Sequence, residues 1–220
     1  MIKDSLFQTL DIKTSLKNVE YSKALNFMEK KVENILTNKD NEMLWFLNHN
    51  HIYTCGTSWN KNEILNKTEI PIIKTNRGGK ITYHGPGQRI IYYMINLNNR
   101  KKDIRHFINS LEKIAIETLK EFDVIAVSNK DKIGIWVTKI NNNNLKQEKK
   151  IGSIGIRLKK WVTYHGLSLN ISTDLKYFNN INPCGIKDCQ VTSLKDLGVN
   201  IPLRDFDKIL IEKSKKYFLL

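Results

Sequence analysis

The sequence predicts an α+β fold, a mixed β-sheet with flanking helices. Three observations support this. Helical periodicity appears in three separated windows, 20–37, 103–121 and 202–219. Short β-favouring runs fill much of the chain between them. Strands and helices do not alternate regularly, which argues against a doubly wound parallel sheet. With 220 residues, 40% hydrophobic and 26% charged, the chain can bury a sizeable core, and a single domain over 1–220 is expected. There is no internal repeat and no obvious linker.

The elements follow in chain order. Tyr21, Ala24, Leu25, Met28, Val32 and Ile35 recur at helical spacing and mark the helix at 20–37. The window 44–54 reads as a strand that ends in a turn at Cys55-Gly56. A short strand at 70–73 runs toward a glycine-rich loop at 77–87. The segment 89–97 is apolar and β-favouring, so it reads as a buried strand. Asp103 is a good N-cap for the clearest helix, with Phe107, Leu111, Ile114 and Leu119 near one face. A strand follows at 132–137. The polar stretch 141–149 reads as a solvated hairpin loop or a small disordered insertion. Strands at 151–158 and 161–171 flank a turn at Lys159-Lys160. Phe206, Ile209, Leu210 and Tyr217 give the closing helix its apolar side.

Composition limits the function. No apolar run approaches the roughly 20 residues of a membrane span. No signal peptide is evident, so a cytoplasmic location is expected. Three cysteines, Cys55, Cys184 and Cys189, do not form a disulfide framework and suit a reducing compartment. Cys184 and Cys189 lack the C-x-x-C spacing of a structural zinc site, and no metal is expected. Lys and Arg number 36 against 22 Asp and Glu, a net charge of +14. Compositional drift toward Lys, Asn and Ile, an acidic protein partner, or nucleic acid would each account for it. No zinc-finger, basic-zipper or aromatic RNA-binding pattern is present.

Three motifs carry chemistry. The first is Arg77-Gly78-Gly79-Lys80-Ile81-Thr82-Tyr83-His84-Gly85-Pro86-Gly87-Gln88. Its glycines allow close approach of backbone to a ligand, and Arg77, Lys80, Tyr83 and His84 add donors around it. It lacks the Walker phosphate-loop pattern. A plain turn between strands is the structural alternative.

The second motif is Pro183-Cys184-Gly185. The flanking Pro and Gly argue for a tight turn that presents the thiol, although a lone cysteine is commonly just a buried structural residue. A free thiol titrates near ~8.5, and a neighbouring ammonium lowers that value. Lys150 lies 34 residues upstream, far enough for strands to bring it close. The third motif is Gly152-Ser153-Ile154-Gly155 with Tyr164-His165-Gly166-Leu167-Ser168. Its small residues allow backbone N–H groups to face a substrate. His165 is a second candidate base, with a structural role as the alternative. Asn170 and Asp174 read as scaffold hydrogen-bonders.

Together the segments 77–88, 150–157, 161–170 and 182–193 resemble the octanoyltransferases of lipoate biosynthesis, within the biotin/lipoate protein ligase superfamily. Weaker similarity covers 53–58 and 134–137. The resemblance implies a biotin/lipoate protein ligase-like fold. It implies transfer of octanoyl from octanoyl-acyl carrier protein to a lysine of lipoyl domains through a cysteine thioester. The acceptors would be the lipoyl domains of 2-oxoacid dehydrogenases and the glycine cleavage H protein. Cys184 would carry the acyl group, and Lys150 would lower its pKa and relay protons. Arg77, Gly78, Gly79, Lys80, Ile81, Thr82, Tyr83 and His84 would line the acyl site. Ser153, Ile154, Gly155, Gly166, Leu167 and Ser168 would close around it.

On this reading no cofactor is needed, because thioester to amide is downhill. Neither nucleic acid nor a membrane is a partner, and a monomer is expected. The family's His-Pro-Pro corner is replaced here by His49-Asn50-His51. Three rivals remain: an ATP-dependent lipoate or biotin ligase, which uses no cysteine nucleophile, a basic nucleic-acid-binding module, and an inactive scaffold that binds lipoyl domains without chemistry.

Overall fold

The computed structural model describes residues 9–129, 132–183 and 189–219. Ten strands and three helices appear among them: β1 (Leu10–Thr14), α1 (Tyr21–Leu36), β2 (Glu42–Leu47), β3 (Ile52–Cys55), β4 (Ile72–Lys74), β5 (Ile81–His84), β6 (Gln88–Met94), α2 (Ile104–Lys120), β7 (Val124–Ser128), β8 (Ile135–Ile140), β9 (Asn143–Lys159), β10 (Val162–Asn170) and α3 (Leu203–Phe218). Seven strands form one mixed sheet in the order β1-β2-β6-β10-β9-β8-β7. Only β1 and β2 run parallel there. A small second sheet has the order β4-β3-β5.

Burial explains this layering. One face of the large sheet packs Ile91, Tyr93, Leu167 and Leu169 against Leu111 and Ile114 of α2 and Phe206 and Leu210 of α3. The other face packs Trp45, Ile90, Tyr92 and Met94 against Ala24, Met28 and Val32 of α1. The alternation of Ile90 and Ile91 between faces is the two-residue period of a strand. The small sheet has its own core around Tyr53, Ile81 and Tyr83. Asp103 caps α2 by accepting from the His106 amide at 3.0 Å.

Four sequence expectations need correction. The strand expected over 44–54 is two strands in different sheets, β2 and β3. The break falls at the buried His49, which bonds to the Val19 carbonyl and to the Tyr92 hydroxyl, both at 2.6 Å. The stretch 141–149 is no loose insertion. Asn141 and Asn142 take positive φ (46° and 64°) in a two-residue hairpin turn, and β9 begins at Asn143. The next hairpin turns at Lys160-Trp161, one residue later than expected, again with positive φ (47° and 67°). The glycine-rich segment is likewise not one loop: Ile81–His84 form β5 between two turns.

Candidate active site

A cavity of about 370 Å³ lies between the large sheet and the 77–84 segment. That volume is at the low end of the roughly 300–1,000 Å³ of small-ligand sites. Residues from distant parts of the chain line it. Arg77, Gly78, Gly79, Lys80, Ile81, Thr82 and His84 come from the motif around β5. Lys150, Ser153, Ile154 and Gly155 come from β9, and Gly166, Leu167 and Ser168 from β10. Pairing of β9 with β10 explains the last group: Ser153 faces Ser168, Ile154 faces Leu167 and Gly155 faces Gly166.

Tyr83 does not join them. Successive strand residues point to opposite faces. Thr82 and His84 share the cavity face, so Tyr83 turns into the small sheet's core, where its hydroxyl shares a 2.7 Å hydrogen bond with His51. That contact, with the His49 bonds, holds the His49-Asn50-His51 corner.

Lys150 is buried, 5% exposed. Its amide donates to the Gln190 carbonyl at 2.7 Å, and its carbonyl accepts from the Thr192 amide at 2.8 Å. Its ammonium lies 5.7 Å from the Trp136 ring centroid. Gly134 makes room for the side chain: a Cβ there would sit 2.6 Å from Lys150 Cε. Gly134 also holds φ at +144°, a conformation side chains rarely adopt.

The motif's cations are already engaged. Arg77 is buried and donates to Thr54 Oγ1 and carbonyl and to the Gly78 carbonyl. Gly155 lets it dock there, since a Cβ at that position would meet Arg77 Cδ at 3.0 Å. Lys80 pairs with Glu63 at 2.6 Å, and the same carboxylate accepts from the Ile81 amide at 3.2 Å. Arg77 and Lys80 line the cavity as expected, with part of their donor capacity already engaged. Among the described residues no Asp or Glu lines the cavity.

The histidines are neutral and fixed in tautomer. Gln88 Nε2 donates to the Tyr83 carbonyl and to Asn170 Oδ1, so Gln88 Oε1 accepts from His84 Nδ1 at 2.7 Å. Burial, then the nearby His49 and Arg77, push the His84 pKa well below 6.5. Asn76 Nδ2 donates to the Tyr164 hydroxyl, so its Oδ1 accepts from His165 Nε2 at 2.9 Å. Burial, then Arg77 and Arg157, lower His165 to about 3. His165 is thus a poor base at neutral pH. It also sits inside β10 with φ +61°, not at a strand end. Asn170 and Asp174 act as scaffold: Asn170 donates to the Thr192 carbonyl, and Asp174 accepts from the Lys176 amide.

Cys184 and Gly185 lie outside the described residues. The described flanks are at the site. Pro183 lines the cavity, and Gln190 bonds to the backbone of Lys150. Cys189 is partly exposed, and Cys55 is buried with its thiol pKa raised by burial. The sequence reading missed Tyr21, Tyr92, Ile104, Ile108, Lys132 and Ile133 as lining residues. Ile104 and Ile108 have the i, i+4 spacing that could have placed them on one helix face.

The chain is similar to known proteins over most of its length. The model of the lipoyl protein ligase A/B catalytic domain matches residues 20–215. An octanoyltransferase of Bartonella bacilliformis is 45% identical over 204 residues, covering 91% of this chain and 85% of that protein. An octanoyltransferase of Wolbachia from Brugia malayi is 47% identical over 201 residues, covering 91% and 95%. A bipartite lipoate protein ligase of Thermoplasma acidophilum shares the fold, with a TM-score of 0.67 at 15% identity over 94% of this chain and 84% of that one. Among the described residues no helix is long and apolar enough to cross a membrane. The chain belongs to the lipoyl protein ligase A/B catalytic-domain family, and within that family it is an acyltransferase.

Proposed function

We propose that this chain moves an octanoyl group from acyl carrier protein onto Cys184 and then onto a lysine of a lipoyl domain. Lys150 serves as the proton relay. One observation carries the reading. Lys150 and Pro183, the residue directly before Cys184, line one cavity that holds no carboxylate among the described residues. A thiolate that has passed its proton to Lys150 is attracted to the ammonium so formed and repelled by no lining carboxylate among the described residues.

The steps balance as follows. Lys150 takes the Cys184 proton, and the thiolate attacks the donor thioester carbonyl. The tetrahedral oxyanion collapses, the carrier's C–S bond breaks, and its thiolate takes a proton from Lys150. The acceptor amine then attacks the Cys184 thioester and gives Lys150 a proton. The amide forms, and the Cys184 sulfur leaves and takes that proton back. A covalent intermediate divides the transfer into two easier steps.

The aliphatic lining suits the acyl chain: Ile104, Ile108, Ile133, Ile154 and Leu167 all face the cavity. Thr82, His84, Ser153, Gly155, Gly166 and Ser168 contact the chain or its carbonyl in this reading. Arg77, Gly78, Gly79 and Lys80 form the wall. The basic surface, net +14, steers acidic carrier and lipoyl domains during encounter. The enzyme works in the cytoplasm as a monomer.

The test is intact mass after mixing with octanoyl-acyl carrier protein. One hydroxylamine-labile octanoyl group is expected on the wild type and none on Cys184→Ser. Activity with free octanoate and ATP that survives Cys184→Ala would establish an ATP-dependent ligase instead.

A further inference from the structure

A register shift sets how Lys150 reaches the cavity. Ile135 pairs with Gly152, so a regular antiparallel ladder would place Trp136 opposite Ile151. Trp136 pairs instead with Lys150. Ile151 is the extra residue of the shift, and its side chain is fully buried in the main core. Irregularities of this kind beside active sites re-aim a side chain. The backbone of Lys150 bonds to the 190–192 segment, while its side chain shares a face with its cross-strand partner Trp136.

Trp136 is held still. It is 3% exposed, and its Nε1–H donates to the Lys132 carbonyl at 2.8 Å, which fixes the rotation of the ring. Lys150 Nζ stands over that ring, 5.7 Å from its centroid. That lies within the roughly 6 Å at which a cation is drawn to an aromatic face. Lys132 also approaches the ring, at 5.6 Å, but its side chain is 41% exposed and its ammonium lies 3.7 Å from Glu148. Solvent screens that contact, whereas the contact with the buried Lys150 is desolvated and stronger.

The chemistry favours an aromatic partner here. A carboxylate would also hold an ammonium, but it would repel the Cys184 thiolate and the oxyanion that follows. The indole attracts an ammonium through the negative face of its ring and carries no net charge. It neither takes the proton in transit nor opposes an anion. We infer that Trp136 is a positioning residue for Lys150: the face of its clamped indole receives the ammonium formed when Lys150 takes a proton and keeps it at the cavity. The inference rests on the acyl-transfer reading above, in which Lys150 relays protons.

The test is a double-mutant cycle in single-turnover acylation from octanoyl-acyl carrier protein, read by intact mass. Trp136→Leu removes the aromatic face and leaves an apolar side chain; acylation is expected to slow about tenfold. Trp136→Phe restores a face and should recover most of that loss. In the Lys150→Ala background Trp136→Leu should change the rate little, because the residue it acts through is gone. A merely structural tryptophan would cost the same in both backgrounds, and that result overturns the inference. So does a Trp136→Leu protein that acylates at the wild-type rate, or a Trp136→Phe protein as slow as Trp136→Leu. If Lys150→Ala itself acylates normally, the relay reading falls, and fluorine NMR of protein labelled with 5-fluorotryptophan decides the contact separately. The chain has four tryptophans. The signal missing from Trp136→Phe should move in Lys150→Met; a signal that stays in place refutes the contact whatever the chemistry.

Discussion

Gly134→Ala tests whether the placement of Lys150 matters to the chemistry. The new Cβ would lie 2.6 Å from Lys150 Cε, 2.9 Å from the Gly152 carbonyl oxygen and 3.3 Å from Nζ. The carbonyl belongs to a paired strand, so the lysine side chain must yield. At φ +144° the backbone strain adds about 1–3 kcal/mol. A chain of this size loses about 2–4 °C in Tm per kcal/mol. Displacing a catalytic group by about 1 Å costs on the order of 100-fold in rate. The assay is single-turnover acylation from octanoyl-acyl carrier protein, read by intact mass beside a thermal melt. Gly198→Ala is the control. Gly198 has φ +79° and nothing within 4 Å of an added Cβ, so it carries strain without a clash. Gly198→Ala should melt lower and acylate normally; Gly134→Ala should melt lower and acylate about 100-fold more slowly. A Gly134→Ala protein that acylates at the wild-type rate would refute the requirement for a fixed Lys150.

Other consequences follow from the same contacts. Lys150→Ala should slow acylation by about 100-fold or more, the scale of a lost acid–base group. Lys149→Ala, which removes only a partly exposed pair with Asp196 at 3.6 Å, should leave it near normal. Equal losses would take Lys150 out of the reaction. Burial holds His49 at about 4 and His165 at about 3, with His84 also far below 6.5. Below pH 6.5 the unfolded chain binds protons that the folded chain refuses. Stability is therefore full above 6.5 and falls as pH drops toward 4, by up to about 1.4 kcal/mol per pH unit for each histidine. Asp207, raised by burial, opposes this in part. A urea midpoint that stays flat from neutral pH down to about 5 would contradict the buried neutral rings. Arg89 and Asp207 form a buried two-point pair between β6 and α3. Asp207→Ala strands the guanidinium and should cost about 3–5 kcal/mol in a denaturant titration.

Much of this was legible in the sequence where one period decides the structure. The three helices appear within a residue or two of their predicted ends, because their apolar residues repeat at helical spacing. The strand over 44–54 was misread because His49 interrupts it. Nothing local tells a buried histidine bonded to Val19 and Tyr92 from one facing solvent. In the glycine-rich motif the sequence located the cavity wall but not the partners of its cations. Glu63 neutralises Lys80, and Thr54 and Gly78 engage Arg77. Those partners come from other turns and strands, and spacing does not show them. Tyr83 was misplaced for a simpler reason: a segment read as loop is not given the alternation of a strand.

The electrostatics of the cavity separate the two candidate proton carriers. A general base near neutral pH needs a pKa close to the working pH. His165, at about 3, fails that requirement, and His84 fails it too. Arg77 contributes to both failures, since its charge opposes a second positive charge on either ring. No described carboxylate faces the cavity to take their place. Tyr21 is raised to about 12 and is equally unsuited to giving up a proton. In the proposed reaction the proton moves between Lys150 and the incoming sulfur or amine, with Lys80 and Lys132 also lining the cavity. The same buried positive charge favours the oxyanion that forms when either nucleophile attacks. On this view Arg77 acts without touching the acyl group. Burial is the larger cause of both neutral rings, and the Arg77 charge adds to it.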